Sequence, residues 1–177
     1  MEEFIQPTFN AMLKEGIPFR GIFFAGLMIT ATGPQLIEYN VRFGDPETQS
    51  LMLRLESDIV PLLMACANHE GLDECDITLS NDAAICVVMA AKGYPNAYEK
   101  NTEIKGLENA DGIIFHAGTK VEDGKTLNIG GRVLGICAKA PTFEAARNQA
   151  YATLNQIDWP QGFYRKDIGW RAVKKAA

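Results

Sequence analysis

The sequence is poor in several things, and each shortage closes off a class of function. Its four cysteines, Cys66, Cys75, Cys86 and Cys137, contain no CxxC pair and lie mostly in apolar runs. That argues against zinc ligands or a disulfide framework and points to buried, reduced thiols in a reducing cytoplasm. No apolar run reaches membrane-spanning length, and the opening Met1-Glu2-Glu3-Phe4 is not expected to be a secretory signal. Basic residues are outnumbered, 17 Lys plus Arg against 22 Asp plus Glu, which argues against a nucleic-acid surface. Histidine occurs twice, as His69 and His116, and no Ser–His or Cys–His arrangement suggests a covalent nucleophile. Internal repeats and low-complexity linkers are absent too. What is present is a hydrophobic content of 47% in 177 residues, enough for one or two soluble globular domains.

Residues 3–15 carry Phe4, Ile5, Phe9, Met12 and Leu13 at helical spacing, with Gly16 at the end. Residues 20–30 are apolar on both faces and predict a strand covered by layers on both sides. A turn at Thr32-Gly33-Pro34 then returns the chain as an antiparallel hairpin. Only one helix in this stretch covers that hairpin, so a second covering layer is expected outside the chain.

The return strand is the most patterned segment. Ile37, Tyr39, Val41 and Phe43 alternate with Glu38, Asn40 and Arg42. Period-two alternation predicts that the first four share a buried face and the other three share the opposite one. The Cα atoms of Glu38 and Asn40 would lie about 6.6 Å apart, close enough for both side-chain oxygens to converge on a hard cation such as Mg²⁺. Arg42 suits such a place only beside a polyphosphate, which separates the two cations and accepts a forked hydrogen bond. Taken alone, the polar face also fits an ordinary solvated strand. Asp45-Pro46 predicts a helix start, with Asp45 as N-cap and Pro46 at the first position. That start could also hold an anion along Gly44–Glu47. Glu47 stabilises the helix dipole in one reading and orients Arg42 or a substrate amine in the other.

Further on, helix is predicted through Leu51, Leu53 and Leu55. A second helix runs from near Asp58 to Gly71, with Pro61 in its first turn and His69 solvated at its end. Strands are predicted at 77–79, 83–91, 112–118, 126–129 and 132–139. A helix from Thr142 to Ile157 turns Phe143, Ala146, Ala150, Leu154 and Ile157 to one face. His116, alternating with apolar neighbours, reads as a partly buried structural residue or, less simply, a catalytic one. Gly130-Gly131-Arg132 reads as a turn, or as an anion-holding concavity with added charge. Arg165, Lys166, Asp167 and Arg171, with Trp170, read as a surface ion-pair cluster. The fold class is α+β, with a domain boundary between Gly71 and Asp76.

The run from Glu38 to Gln49 closely resembles the signature of phosphoribosylamine–glycine ligases (glycinamide ribonucleotide synthetases), ATP-grasp enzymes of purine biosynthesis. Three more stretches resemble that family, in its order: Pro18-Phe19-Arg20-Gly21 through Ala25-Gly26-Leu27-Met28, then 130–135, then 165–171. The resemblance implies that 1–73 is the end of an ATP-grasp domain (helix, antiparallel hairpin, helices). It makes 74–177 the β-rich carboxy-terminal domain with one long helix. It implies ATP with Mg²⁺ or Mn²⁺ as cofactors, and glycine and 5-phosphoribosylamine as substrates. It also implies an amino-terminal portion of the ligase as partner, without which this chain is expected to be inactive. By the same resemblance Glu38 and Asn40 are metal ligands and Arg42 is catalytic. Arg42, Asp45, Glu47, Gly130, Gly131 and Arg132 are then nucleotide or substrate contacts, and 165–171 is a packing motif. The competing expectations are a non-catalytic binding or assembly module with a vestigial ATP-grasp strand, and another ATP-grasp carboxylate–amine ligase or carboxylase.

Overall fold

A computed structural model describes residues 2–175. Contacts divide the chain into two units, Met1–Asp45 with Leu55–Thr78, and Pro46–Arg54 with Leu79–Ala177.

The first unit opens with helix α1, Ile5–Lys14. It stops because Gly16 takes a left-handed φ of 76°. The Gly16 amide then reaches the Leu13 carbonyl at 3.1 Å, and the Ile17 amide reaches Met12 at 3.0 Å. This paired closure satisfies two carbonyls that the helix end would otherwise leave open, and glycine adopts it without Cβ strain. Strands β1, Phe24–Thr30, and β2, Gly33–Asn40, follow as an antiparallel hairpin. Its register shifts between Gly26 and Leu27: Gly26 pairs with Glu38 and Leu27 with Leu36, leaving Ile37 as the extra residue of a β-bulge.

Tyr39 ties β2 to α1. Its ring centroid lies 4.7 Å from that of Phe23, which in turn meets Phe9 at 4.9 Å and Phe19 at 5.3 Å. Its hydroxyl donates to the Phe4 carbonyl at 3.1 Å and lies 2.8 Å from the Thr8 hydroxyl. The predicted burial of Ile37 and Val41 beside Tyr39 does not occur, since they are 62% and 65% exposed. The bulge takes Ile37 out of the alternation, and β2 ends at Asn40 before Val41. β1 is likewise open along its second half, with Ile29 77% exposed. Helix α3, Ile59–Asn68, starts where predicted, with the Asp58 carboxylate accepting from the Val60 amide at 2.9 Å. His69 is more than a solvated end residue: it forms the left-handed cap at φ 64°, and its carbonyl accepts from Arg20 Nη1 at 2.7 Å. Residues 77–79 form no regular strand. Single backbone bonds, Glu56 to Thr78 at 2.9 Å and Ser80 to Arg54 at 2.7 Å, hold this exposed connector instead.

In the second unit, helix α2 spans Glu47–Arg54 and begins one residue later than predicted, after an Asp45-Pro46 turn. Strands β3 (Ala83–Ala91), β5 (Ile113–His116), β8 (Arg132–Ala140) and β9 (Gly162–Phe163) form one antiparallel sheet in the order β5-β8-β3-β9. Strands β4 (Glu103–Ile104), β6 (Thr119–Glu122) and β7 (Lys125–Asn128) form another, ordered β4-β7-β6. Helix α4, Phe143–Leu154, starts with Thr142 accepting from the Ala145 amide, and its Ala146, Ala150 and Leu154 pack with Val87, Val133 and Ile136. Phe143 lies off that face and is exposed. The short helix α5, Trp170–Lys175, ends the described chain. The two-residue strands and α5 were not predicted, being too short to display a period.

Asn128 is fully buried and ties β7 to residues 99–102. Its Oδ1 accepts from the Thr102 amide at 2.9 Å and hydroxyl at 2.7 Å, and its Nδ2 donates to the Glu99 carbonyl at 2.8 Å. The Thr102 hydroxyl also accepts from Trp159 Nε1 at 2.8 Å. Replacing Asn128 by Ala leaves the part-buried Thr102 amide and Glu99 carbonyl without this partner, each costing about 1–3 kcal/mol. Asn128→Ala is therefore expected to lower the urea-unfolding free energy of this unit by about 3 kcal/mol, read from the shift in midpoint at unchanged slope.

Candidate metal and phosphate site

Glu38 and Asn40 lie on the face of β2 opposite Tyr39, as the alternation requires. Asn40 Nδ2 donates to Glu38 Oε1 at 2.9 Å, so the two side chains are already side by side. That contact occupies the amide nitrogen and one carboxylate oxygen. Asn40 Oδ1 and Glu38 Oε2 remain as two hard oxygen donors on an open face. The set fits Mg²⁺ or Mn²⁺, which take a few protein oxygens and complete the octahedron with water and phosphate. No group of three or more His, Cys, Asp or Glu side chains suited to a metal occurs among the described residues.

Gly26 helps place Glu38. It is the direct cross-strand partner of Glu38, and a Cβ at position 26 would lie 3.2 Å from Glu38 Cγ. Glycine thus leaves room for the glutamate stem to lie across the strand pair. The motif containing Gly26 was visible in the sequence, but its pairing with Glu38 depends on the bulge and was not.

Arg42 does not continue the strand face. It falls in a bend after β2, where its Nη1 donates to the Phe43 carbonyl at 2.9 Å, and the side chain is exposed. A guanidinium carries five N–H groups, so this bond leaves most of the fork for an anion. Asp45 is exposed in the turn that precedes α2.

In the second unit, Glu47 occupies the first turn of α2. Its Oε2 is buried and has no hydrogen-bond partner among the described residues. Glu47 also lines a cavity of about 570 Å³, together with Arg54, Asp82 and Phe143. Arg54 is committed to structure there, its Nε and Nη2 both donating to the Ser80 carbonyl, at 3.1 and 2.8 Å.

Gly130 and Gly131 have packing roles. The Gly130 amide donates to Gly118 at 3.2 Å, and the Gly131 carbonyl accepts from Ala91 at 2.8 Å. Gly131 is buried with the Tyr94 ring where its Cβ would stand. Arg132 follows at the start of β8, exposed and paired in register with Ala90. His116 is exposed rather than partly buried, with Nδ1 2.9 Å from the Thr119 hydroxyl. The tail cluster docks on α4 through Arg147, which donates to the carbonyls of Ile168 and Lys166 at 2.9 and 2.6 Å. The Arg165 guanidinium, hydrogen-bonded to Asp167, holds that carboxyl below the usual carboxylate range.

Comparison with known proteins agrees with this arrangement of strand, turn and β-rich unit. Residues 1–48 match the phosphoribosylglycinamide synthetase ATP-grasp (A) domain, and residues 84–171 match the phosphoribosylglycinamide synthetase C domain. The phosphoribosylamine–glycine ligase of Agrobacterium fabrum is 51% identical over 99% of this chain and 42% of its own length. The chloroplastic ligase of Arabidopsis thaliana is 49% identical, over 99% of this chain and 34% of its own. The crystal structure of the Thermotoga maritima phosphoribosylamine–glycine ligase superposes with a TM-score of 0.82 at 36% identity. It covers 94% of this chain and 41% of that one.

The chain belongs to the phosphoribosylglycinamide synthetase family. Its α+β architecture is that family's, an end of the ATP-grasp region followed by the C domain. It spans about 42% of the length of the bacterial synthetases it matches. No helix among the described residues is long and apolar enough to cross a membrane.

Gly26→Val is expected to push Glu38 off the shared face and weaken Mn²⁺ binding about 10-fold, the usual scale for disturbing the support of a metal ligand. Manganese titration followed by electron paramagnetic resonance measures this. Unchanged affinity in a folded variant would leave Gly26 with no part in placing Glu38.

Proposed function

We propose that this chain is the carboxy-terminal part of a phosphoribosylamine–glycine ligase of purine biosynthesis. The complete enzyme joins glycine to 5-phosphoribosylamine and converts ATP to ADP and phosphate, in the cytoplasm. The observation that carries this reading is the Glu38–Asn40 pair, two oxygen donors fixed side by side on an open strand face. The division at 73/74 into an ATP-grasp part and a C domain belongs to the same proposal. So does an amino-terminal portion of the ligase that grips adenine and covers the exposed apolar hairpin.

The chemistry asks for positioning more than for a nucleophile. A carboxylate is a poor acyl donor because its leaving group would be oxide. Transfer of the γ-phosphoryl group to glycine gives glycyl phosphate, and the amine of phosphoribosylamine displaces phosphate from it. Glu38 and Asn40 hold Mg²⁺ or Mn²⁺, which neutralises phosphate charge when bound. Arg42 directs its fork at the transferring phosphoryl group, as preorganised charge in a site that expels water. Glu47, in the first turn of α2, orients Arg42 or the substrate amine, and the Gly44–Glu47 stretch that includes Asp45 helps locate a substrate phosphate or carboxylate. Arg132 contacts the ribose phosphate from the turn that Gly130 and Gly131 shape.

The test is ADP formation that depends on both glycine and phosphoribosylamine, with this chain alone and with the amino-terminal portion of a family member. Turnover is expected only in the mixture, and Glu38→Ala should reduce it at least about 100-fold, as loss of a charge-stabilising contact does. No turnover from folded, associated parts would overturn the ligase assignment in favour of a binding module.

A further inference from the structure

Cys86 and Cys137 are direct cross-strand partners in the β3–β8 pair, so their side chains project from the same face of the sheet. Both are buried and outside any disulfide, Cys86 at 9% exposure and Cys137 at 1%. Gly135 leaves the space they share: a Cβ there would stand 3.2 Å from Cys86 Sγ, and Cys137 Sγ lies 3.8 Å from the Gly135 carbonyl. Directly opposed residues of an antiparallel pair have Cα atoms about 4.5–5.5 Å apart, inside the range of about 4.4–6.8 Å that a disulfide spans. Their Cβ atoms, about 4.5–5.5 Å apart in such pairs, need to close by about 1 Å.

We propose that Cys86 and Cys137 form a reversible cross-strand disulfide when the protein meets a small peroxide. Cys86, the more accessible thiol, attacks as thiolate: its sulfur bonds to one peroxide oxygen, the O–O bond breaks, and the departing hydroxide takes the thiol proton as water. The Cys137 sulfur then attacks the sulfenic sulfur. The S–S bond forms, the S–O bond breaks, and the hydroxide released leaves as a second water with the Cys137 proton. Two thiols and one hydrogen peroxide become one disulfide and two waters. The order of attack follows from the contact between the thiols, because hydrogen bonding to Cys86 and burial raise the Cys137 pKa and keep its proton in place until the second step. Because both thiols are buried, a small oxidant suits this pair better than a bulky disulfide reagent. The cross-link ties β3 to β8 beneath helix α2, whose Gln49 amide nitrogen would lie 3.9 Å from a Cβ at position 135.

The experiment uses the full chain carrying Cys66→Ala and Cys75→Ala, so that only the two facing thiols remain. After hydrogen peroxide, quenching and denaturing alkylation, the expected intact mass is 2 Da below the reduced chain, with no alkylated thiol. Dithiothreitol should restore the mass, and the oxidised form should melt higher by about 5 °C or more. Adding Cys86→Ala must abolish the 2 Da loss while circular dichroism shows the sheet intact. Gain of 16 or 32 Da without loss of 2 Da, or recovery of both thiols alkylated after exposure that oxidises free cysteine, would overturn the proposal.

Discussion

Tyr39 is the constraint on which the candidate site depends. Its ring belongs to the aromatic group of Phe9, Phe19 and Phe23, and its hydroxyl is fixed to the first turn of α1. Its pairing with Phe23 is worth about 0.5–1.5 kcal/mol beyond the area it buries, and the hydroxyl bonds to Phe4 and Thr8 hold the ring from its other end. A strand with one side chain pinned to a helix has no rotational freedom about its axis. Glu38 and Asn40 must then leave from the other face, and their mutual hydrogen bond removes much of the remaining side-chain freedom. Order at the Glu38–Asn40 face is thus produced behind it, by residues on the opposite side of the strand.

The second unit is built differently. The β3–β8 ladder is its spine, with α4 closing one face through alanines and Leu154, which allow helix and sheet to approach closely. Away from that apolar core, stability depends on saturating polar groups: Asn128 answers the backbone of the segment between β3 and β4, and Thr153 binds the Asp111 carbonyl at 2.6 Å. A buried amide is tolerated there because every partner is present. The two units therefore carry different sensitivities, to loss of aromatic area in one and to loss of single hydrogen bonds in the other.

Much of this was legible in the sequence. The long elements announced themselves by period: α1, α3, α4, β3 and β8 all fall close to where their apolar spacing puts them. The polar pair Glu38 and Asn40 was readable for the same reason, since alternation decides which residues share a face. What escaped was whatever depends on pairing rather than period. The bulge at Gly26/Leu27 breaks the expected alternation at Ile37, and nothing in β2 alone reveals it. Arg42 looked like the next polar step of the strand, yet the ladder ends at Asn40 and the guanidinium turns to its own backbone. Residues 77–79 have strand-like composition but find only isolated bonds. The family resemblance supplied roles for Gly130 and Gly131 that the sequence could not separate from packing, and the contacts of Gly118 and Tyr94 give these glycines a reason independent of any ligand.

The bulge also partitions the hairpin. Ile37 has no counterpart on β1, so Leu36 and Glu38 face consecutive residues, Leu27 and Gly26. Side chains on the tip side of that point are therefore one step out of phase with those on the site side. Excising Ile37 would restore an unbroken ladder without moving Glu38 relative to Gly26. A one-residue change nearer the tip could be absorbed at the same place, by gaining or losing the extra residue. The hairpin thus contains its own slip joint, and the length of its exposed end is free to vary without rotating Glu38 and Asn40 out of position.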